Sequence, residues 1–298
     1  MNRWVKRMLW TVLSLLLLGA VAFVGASYWG ERKRERVVSV AVKPVAWAID
    51  TAGLERGRYL YQSRGCADCH GTDGGGKEFI NDGKGMRIRG PNITLGGPVT
   101  AYDPENWVRL IRHGVKKNGR PVFIMPSEDY ARFTDQDVAA LVGYVRNLPI
   151  RIGGPTVVEL PRLVKALYGL GAIQDAFEKI DHTLPPAQPI PAAVSPAHGA
   201  YVANMCIGCH GPSLAGGKIP GGPPDWPAAA NITPGKQSAM PRYPDAASFV
   251  RMLRSGKRPD GTEIRVMPFA SLGELNDVDA QALYAYLGTV PARAAGER

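Results

Sequence analysis

All four cysteines of this 298-residue chain lie in two short runs that have the same spacing. These Cys-x-x-Cys-His runs consist of Cys66, Cys69 and His70, and of Cys206, Cys209 and His210. Two thiols one helical turn apart can each form a thioether with a vinyl group of one haem, and the histidine that follows is presented to the iron. The spacing therefore predicts two covalently bound haem c groups, with His70 and His210 as iron ligands.

A zinc site and a thioredoxin-like dithiol are the alternatives for Cys-x-x-Cys spacing. A zinc site needs four ligands brought together, and a redox dithiol needs no histidine after its second cysteine. Both runs carry that histidine, and an apolar segment typical of exported proteins precedes them. Haem attachment is therefore the better prediction, and it leaves no cysteine for a disulfide.

Two methionines occupy equivalent positions downstream of the two runs. Met125 lies 55 residues after His70, Met267 lies 57 residues after His210, and each is followed by a proline. A thioether opposite a histidine raises the reduction potential relative to two histidines, and it fills the sixth position on the iron. We therefore predict His/Met coordination in both halves, and electron transfer rather than catalysis.

The two halves of the chain repeat one another at an offset of about 140 residues. Residues 92–94 and 231–233 both read Asn-Ile-Thr, and the Met-Pro pair recurs as well. In each half, apolar residues at helical spacing predict a helix before the Cys run, a middle helix and a capped final helix. Because no convincing strand alternation is present, we predict an all-α fold with two tandem domains.

The predicted organisation has four segments. Residues 1–36 form an anchor or signal segment, residues 50–150 the first domain and residues 196–292 the second. The connector, residues 151–195, is expected to contain an amphipathic helix over 161–177 and a proline-rich stretch after it.

Further site residues follow from the repeat. An axial histidine usually donates its second ring N–H to a backbone carbonyl, and the carbonyls of Pro91 and Ala230 are suitably placed. Asn92 and Asn231 are predicted either to cap a turn or to bind a haem propionate. The same two options, a propionate contact or a solvated helix face, apply to Arg109, Arg112, Arg251 and Arg254.

Aromatic and histidine residues outside the runs are given structural roles. Tyr144 and Tyr286 are expected to pack where the first and last helices of each domain cross. His113, His182 and His198 have no repeat partner, so we expect surface or hydrogen-bonded side chains.

The N-terminus predicts export. Basic residues at 3, 6 and 7 precede an uncharged apolar run from Met8 to about Trp29, which is long enough to span a bilayer. A signal peptide cleaved after Val24-Gly25-Ala26 is the alternative to an uncleaved anchor. Because c-type haem is attached outside the bacterial cytoplasm, we place the domains in the periplasm. Half of the formal charge of +10 belongs to the first 36 residues, so a nucleic-acid partner is not indicated.

Both halves resemble the class I cytochrome c domain, which has a Cys-x-x-Cys-His run near its start and a methionine late. Residues 50–292 resemble membrane-anchored dihaem cytochromes similar to the cytochrome subunits of bacterial alcohol-type dehydrogenases. The runs that carry this resemblance are residues 112–114, 125–127, 180–182, 221–227 and 258–261. Those subunits commonly have three haem motifs, whereas this chain has two.

The resemblance implies electron transfer in the periplasm. The donor would be a dehydrogenase or a quinol-oxidising complex, and the acceptor a terminal oxidase or a soluble cytochrome. A dihaem enzyme such as a cytochrome c peroxidase is the alternative, and it requires one iron with an open coordination position. A permanent subunit of an oxidase complex also stays open.

Overall fold

The computed structural model describes residues 2–223 and 225–297. Met1 and Arg298, at the chain ends, lie outside the described residues, and so does Pro224 of the 221–227 run.

The N-terminal helix α1 (Arg3–Arg34) is long and apolar enough to cross a membrane by length and composition. Its most apolar 18-residue stretch has a mean hydropathy of 2.2, and none of those residues is buried. Its last turns are different, because Ser27 and Gly30 are buried against the connector. The helix therefore has an unpartnered apolar part and a part that packs on the protein.

The first domain follows α1 along the chain. Side-chain oxygens of Asp50, Asp103 and Thr134 accept backbone N–H bonds at the starts of three of its helices, which satisfies donors that the helix itself leaves unpaired. Its helices are α2 (Thr51–Ser63), α3 (Cys66–His70), α4 (Pro104–His113), α5 (Ser127–Tyr130) and α6 (Asp135–Asn147).

A small antiparallel sheet corrects the all-α prediction. Strands β1 (Glu78–Asn81), β2 (Arg87–Arg89) and β3 (Val157–Glu159) pair in the order β1-β2-β3. The turn after β1 is closed by the Asp82 carboxylate, which accepts the backbone N–H groups of residues 84 and 86. Ile88 of β2 is fully buried, which stabilises the sheet. The sheet was not predicted because strands of three or four residues are too short to show alternation in the sequence.

The connector differs from the single helix predicted over 161–177. It contains α7 (Arg162–Gly169) and α8 (Ala176–Lys179), separated by a turn. Gly171 adopts a φ of 79°, a conformation that suits glycine and ends the helix. The Asp175 carboxylate then caps α8 by accepting the backbone N–H of Glu178.

The second domain has the same sequence of helices as the first. The caps are again side-chain oxygens, from Ser195, Asp245 and Asn276. Its helices are α9 (Pro196–Val202), α10 (Ile207–His210), α11 (Ala246–Ser255), α12 (Phe269–Leu272) and α13 (Asp277–Leu287).

Each domain is held together where its first and last long helices cross. Gly57 of α2 faces Tyr144 of α6, and a Cβ at Gly57 would lie only 2.6 Å from the Tyr144 Cβ. Gly199 of α9 faces Tyr286 of α13 with the same 2.6 Å spacing. The predicted packing of the two tyrosines at these crossings is confirmed, and the glycines allow the close approach.

Candidate haem sites

Both Cys-x-x-Cys-His runs lie on a single helical turn. In the first domain Gly65, at a φ of 78°, lets the chain leave α2 and start α3 at Cys66. In the second domain a 3₁₀ turn, Ala203–Cys206, leads into α10 instead. The two cysteines of each run therefore lie within one helical turn in both domains, although the backbone that leads into the run differs.

The histidine ring of each run is held by a backbone carbonyl. His70 Nδ1 lies 3.0 Å from the Pro91 carbonyl oxygen, and His210 Nδ1 lies 2.8 Å from the Ala230 carbonyl oxygen. A carbonyl can only accept, so Nδ1 carries the proton and the Nε2 lone pair is available to a metal. Burial lowers the pKa of both histidines, although the carbonyl bond opposes this effect. Both rings are thus oriented, and burial favours their neutral form.

The two asparagines close the loops that supply these carbonyls. Asn92 Oδ1 accepts the backbone N–H and the hydroxyl of Thr94 at 2.9 and 2.8 Å. Asn231 does the same with Thr233, at the same two distances. Both asparagines are buried, and these contacts are the turn-capping role. A propionate contact from either one stays a prediction.

A large apolar cavity in the first domain contains the predicted ligands. Cys66, Cys69, His70 and Met125 all line it, together with side chains of α4 and α6. In the second domain Met267 and Cys206 pack on one hydrophobic core cluster. In each domain the methionine therefore packs on the same apolar core as the first cysteine of the run.

Among the described residues, two polar atoms at the first cavity have no hydrogen-bond partner, and sequence reasoning missed them. Trp107 Nε1 and Arg89 Nε are buried without a hydrogen bond, and both residues line the cavity. A buried donor without an acceptor is costly, and the carboxylate of a haem propionate would satisfy it. The residues present thus fit a haem. The sequence offered no signal, because the repeat partner of Trp107 is Phe249.

The thiols are poorly suited to dithiol redox chemistry. Burial raises the pKa of Cys66 to about 12 and that of Cys69 to about 11. Burial also raises the pKa of Cys206 to about 12. A reactive dithiol needs a lowered thiol pKa, so the thioredoxin-like alternative is disfavoured.

Three of the four arginines of the middle helices bind carboxylates of the protein, and the fourth, Arg251, is exposed. Arg112 is buried and donates to the Phe133 carbonyl at 2.6 Å and to Asp135 at 2.8 Å. Arg254 pairs with Asp277. Arg112 therefore has neither of its two predicted roles, because it ties α4 to the start of α6.

The histidines outside the runs are hydrogen-bonded, as predicted. The Nδ1 atoms of His113 and His182 lie 2.9 Å apart. His198 is buried, and its Nε2 lies 2.7 Å from Asp279.

Residues 52–145 and 192–287 each match the family model described as "Cytochrome C oxidase, cbb3-type, subunit III". The chain belongs to this family of c-type cytochromes. Membership implies covalently bound haem c, the cofactor that the two Cys-x-x-Cys-His runs predict.

The chain is also similar in sequence to individual cytochrome subunits. The fructose dehydrogenase cytochrome subunit of Gluconobacter japonicus is 28% identical over 284 residues, which cover 85% of this chain and 55% of that protein. The cytochrome c subunit of a quinone-type alcohol dehydrogenase from Komagataeibacter europaeus is 39% identical over 95 residues, or 30% of this chain and 20% of that protein. The cbb3-type cytochrome c oxidase subunit CcoP of Helicobacter pylori is 35% identical over 96 residues, or 32% and 28%.

The chain thus spans about half the length of the fructose dehydrogenase subunit and less of the other two. All three names designate cytochrome or oxidase subunits. This agrees with the sequence-based prediction of an electron-transfer protein similar to dehydrogenase cytochrome subunits.

Proposed function

We propose that this chain is a dihaem c-type cytochrome that transfers electrons in the periplasm. The observation that carries the proposal is the repeated site: a Cys-x-x-Cys-His turn whose histidine ring is oriented by a carbonyl, at 3.0 Å in one domain and 2.8 Å in the other. The iron ligands would be His70 and Met125 in the first domain, and His210 and Met267 in the second. The thioethers would form at Cys66 and Cys69, and at Cys206 and Cys209.

When bound, each haem supplies a one-electron couple. The chain's own residues orient the ligand side chains and exclude water with the apolar walls of the site. If the histidine and the methionine of each domain both bound the iron, no position would remain on it for a small substrate. This arrangement favours electron transfer over the peroxidase alternative.

The donor and acceptor classes follow from the relatives. Two of them are named as cytochrome subunits of fructose and alcohol dehydrogenases, and a third as a cbb3-type oxidase subunit. We infer that this chain accepts electrons from a periplasmic dehydrogenase or a quinol-oxidising complex and delivers them to a terminal oxidase or a soluble cytochrome.

We also propose that α1 is an uncleaved anchor in the bacterial inner membrane. The support is its continuous length of 32 residues together with the unburied apolar stretch. Sequencing the N-terminus of the protein purified from membranes tests this point. A chain that begins at Ser27 would instead indicate a cleaved signal peptide.

Addition of hydrogen peroxide to the half-reduced protein tests the function. Both haems are expected to stay low-spin in the visible spectrum, and peroxide consumption is expected to be negligible. A high-spin haem with rapid turnover would overturn the electron-transfer proposal. Gentle solubilisation of membranes, followed by identification of the co-purifying proteins, tests the proposed partners.

A further inference from the structure

The two domains contact each other through pairs of residues that are equivalent in the repeat. The Tyr59 hydroxyl of the first domain donates to Asp279 of the second at 2.7 Å. The Tyr201 hydroxyl of the second domain donates to Asp137 of the first at 2.5 Å. The two tyrosines are 142 positions apart in the sequence, and so are the two aspartates. The two contacts are therefore equivalent, with the roles of the domains exchanged.

The same hydroxyls also accept a bond from the partner domain. The backbone N–H of Thr134, which caps α6, lies 3.2 Å from the Tyr201 oxygen. The backbone N–H of Asn276, which caps α13, lies 3.4 Å from the Tyr59 oxygen. Each tyrosine therefore completes the first turn of the other domain's last helix, where free N–H groups need acceptors.

A second reciprocal pair involves the haem-attachment turns themselves. The Gly208 backbone N–H donates to Asp129 at 2.9 Å, and the Ser271 hydroxyl donates to Asp68 at 3.0 Å. Asp68 and Gly208 occupy the same position within their Cys-x-x-Cys runs, and Asp129 and Ser271 each lie four residues after the methionine. The attachment turn of each domain thus contacts the helix that follows the methionine of the other.

Charge is buried at the same boundary. Arg64, two residues before Cys66, pairs with Asp279 at 2.7 Å, and both side chains are almost fully buried. Reciprocal contacts of this kind are the property of a two-fold, self-complementary interface. Here two halves of one chain form it.

We propose that this pseudo-two-fold interface is the route of electron transfer between the two haem sites, and that Tyr59, Tyr201, Asp129 and Ser271 are its positioning residues. The inference rests on the proposed dihaem function. With both haems bound, one electron would pass from the iron of one domain, oxidised from ferrous to ferric, to the iron of the other, reduced from ferric to ferrous. No bond forms or breaks, and the electron enters and leaves through protein redox partners.

The position of Gly208 provides a sharp test. A Cβ there would lie 3.0 Å from the Asp129 carboxylate, so Gly208→Asp places two carboxylates against each other across the interface. The attachment run tolerates this residue type, because the first copy carries aspartate at the same position. The double change Gly208→Asp with Asp129→Ser recreates the Asp68–Ser271 contact with the domains exchanged. Gly288→Asp is the matched control, since among the residues that the structure describes a Cβ there would meet only the Ala285 carbonyl, at 3.5 Å.

Two quantities are measured on the full-length protein. Pulsed EPR of the fully ferric protein gives the distance between the irons, and flash photoreduction gives the rate at which an electron equilibrates between them. For Gly208→Asp we expect a longer, broader distance distribution and a rate reduced several-fold. The double variant is expected to restore both quantities, and Gly288→Asp to leave both unchanged.

Two results would overturn the inference. One is a Gly208→Asp protein that has two low-spin haems and the wild-type distance and rate. The other is a double variant that stays as impaired as the single one. Failure of the proposed function looks different, because the wild-type protein would then contain fewer than two haems by mass.

Discussion

The loops that carry Met125 and Met267 occupy equivalent positions in the two domains but have different surroundings. In the first domain Phe123 packs edge-on against Tyr168 of α7, with ring centroids 5.1 Å apart, and Glu31 and Arg34 of α1 line the cavity that contains Met125. In the second domain the equivalent of Phe123 is Arg265, which is exposed. The difference indicates that the first site packs against α1 and α7, whereas the second presents this position of its methionine loop to solvent.

Ion pairs reinforce the attachment of the first domain. Arg36 contacts Asp175 at 2.6 Å, and Lys33 contacts Glu178 at 2.8 Å. Tyr168 donates to the buried Asp175 at 2.5 Å. The end of α1, α7 and α8 therefore form one hydrogen-bonded unit beside the first haem site.

The largest expected effect is the loss of one haem at a time. Replacing Cys66 and Cys69 by alanine should remove the haem of the first domain only, because the two Cys runs lie in separate domains. Replacing Cys206 and Cys209 should remove the other. Denatured mass and visible absorbance of both double variants measure this, and loss of both haems from either variant would contradict two separate sites.

The buried aspartates should differ in energetic importance. Asp279 has Arg64, Tyr59 and His198 as partners and is 1% exposed, whereas the partner of Asp137 in its own domain, Arg56, is about one-third exposed. Asp279→Asn leaves Arg64 buried without its counter-charge and should cost about 3 kcal/mol of unfolding free energy. Asp137→Asn should cost about 1 kcal/mol. Denaturant unfolding of both variants measures the difference, and equal losses would contradict it.

Acid should weaken the protein through the same aspartate. Burial alone would raise the pKa of Asp279, but the charge and hydrogen bonds of Arg64, with those of Tyr59 and His198, lower it to about 2. Because the folded pKa lies below the ordinary value of 3.8, this contribution is complete above about pH 4 and is lost as the pH falls through 2. It amounts to about 2 kcal/mol.

Unfolding free energies measured between pH 5 and pH 2 check this expectation, with Asp279→Asn as the control. The variant should have the shallower decline. A parallel decline in the two proteins would assign the acid sensitivity to other groups.

The smallest effect concerns the loops that carry Met125 and Met267. Phe123→Ala removes the half-buried ring from Tyr168 and should cost about 1–2 kcal/mol of unfolding free energy. Arg265→Ala, at the exposed equivalent position, should change it by less than about 0.5 kcal/mol. Thermal and denaturant unfolding distinguish the two, and equal effects would show that the connector does not stabilise the first loop.

The sequence predicted those features that depend on local spacing or on the repeat. The helix caps at Thr134 and Asn276 and the carbonyl contacts of His70 and His210 belong to this class. The sheet escaped prediction because β3 comes from the connector, about 70 residues after its partner strand β2. The reciprocal contacts of Tyr59 and Tyr201 also escaped, since the way two domains pack leaves no periodic signal in either one.

The mass of the intact chain under denaturing conditions tests the central claim most directly. Thioether-linked haem stays on the polypeptide when the protein unfolds, whereas a haem or metal held only by coordination is lost. We expect the mass of the polypeptide plus two haem groups. A mass equal to the polypeptide alone, or to the polypeptide plus one haem, would contradict it.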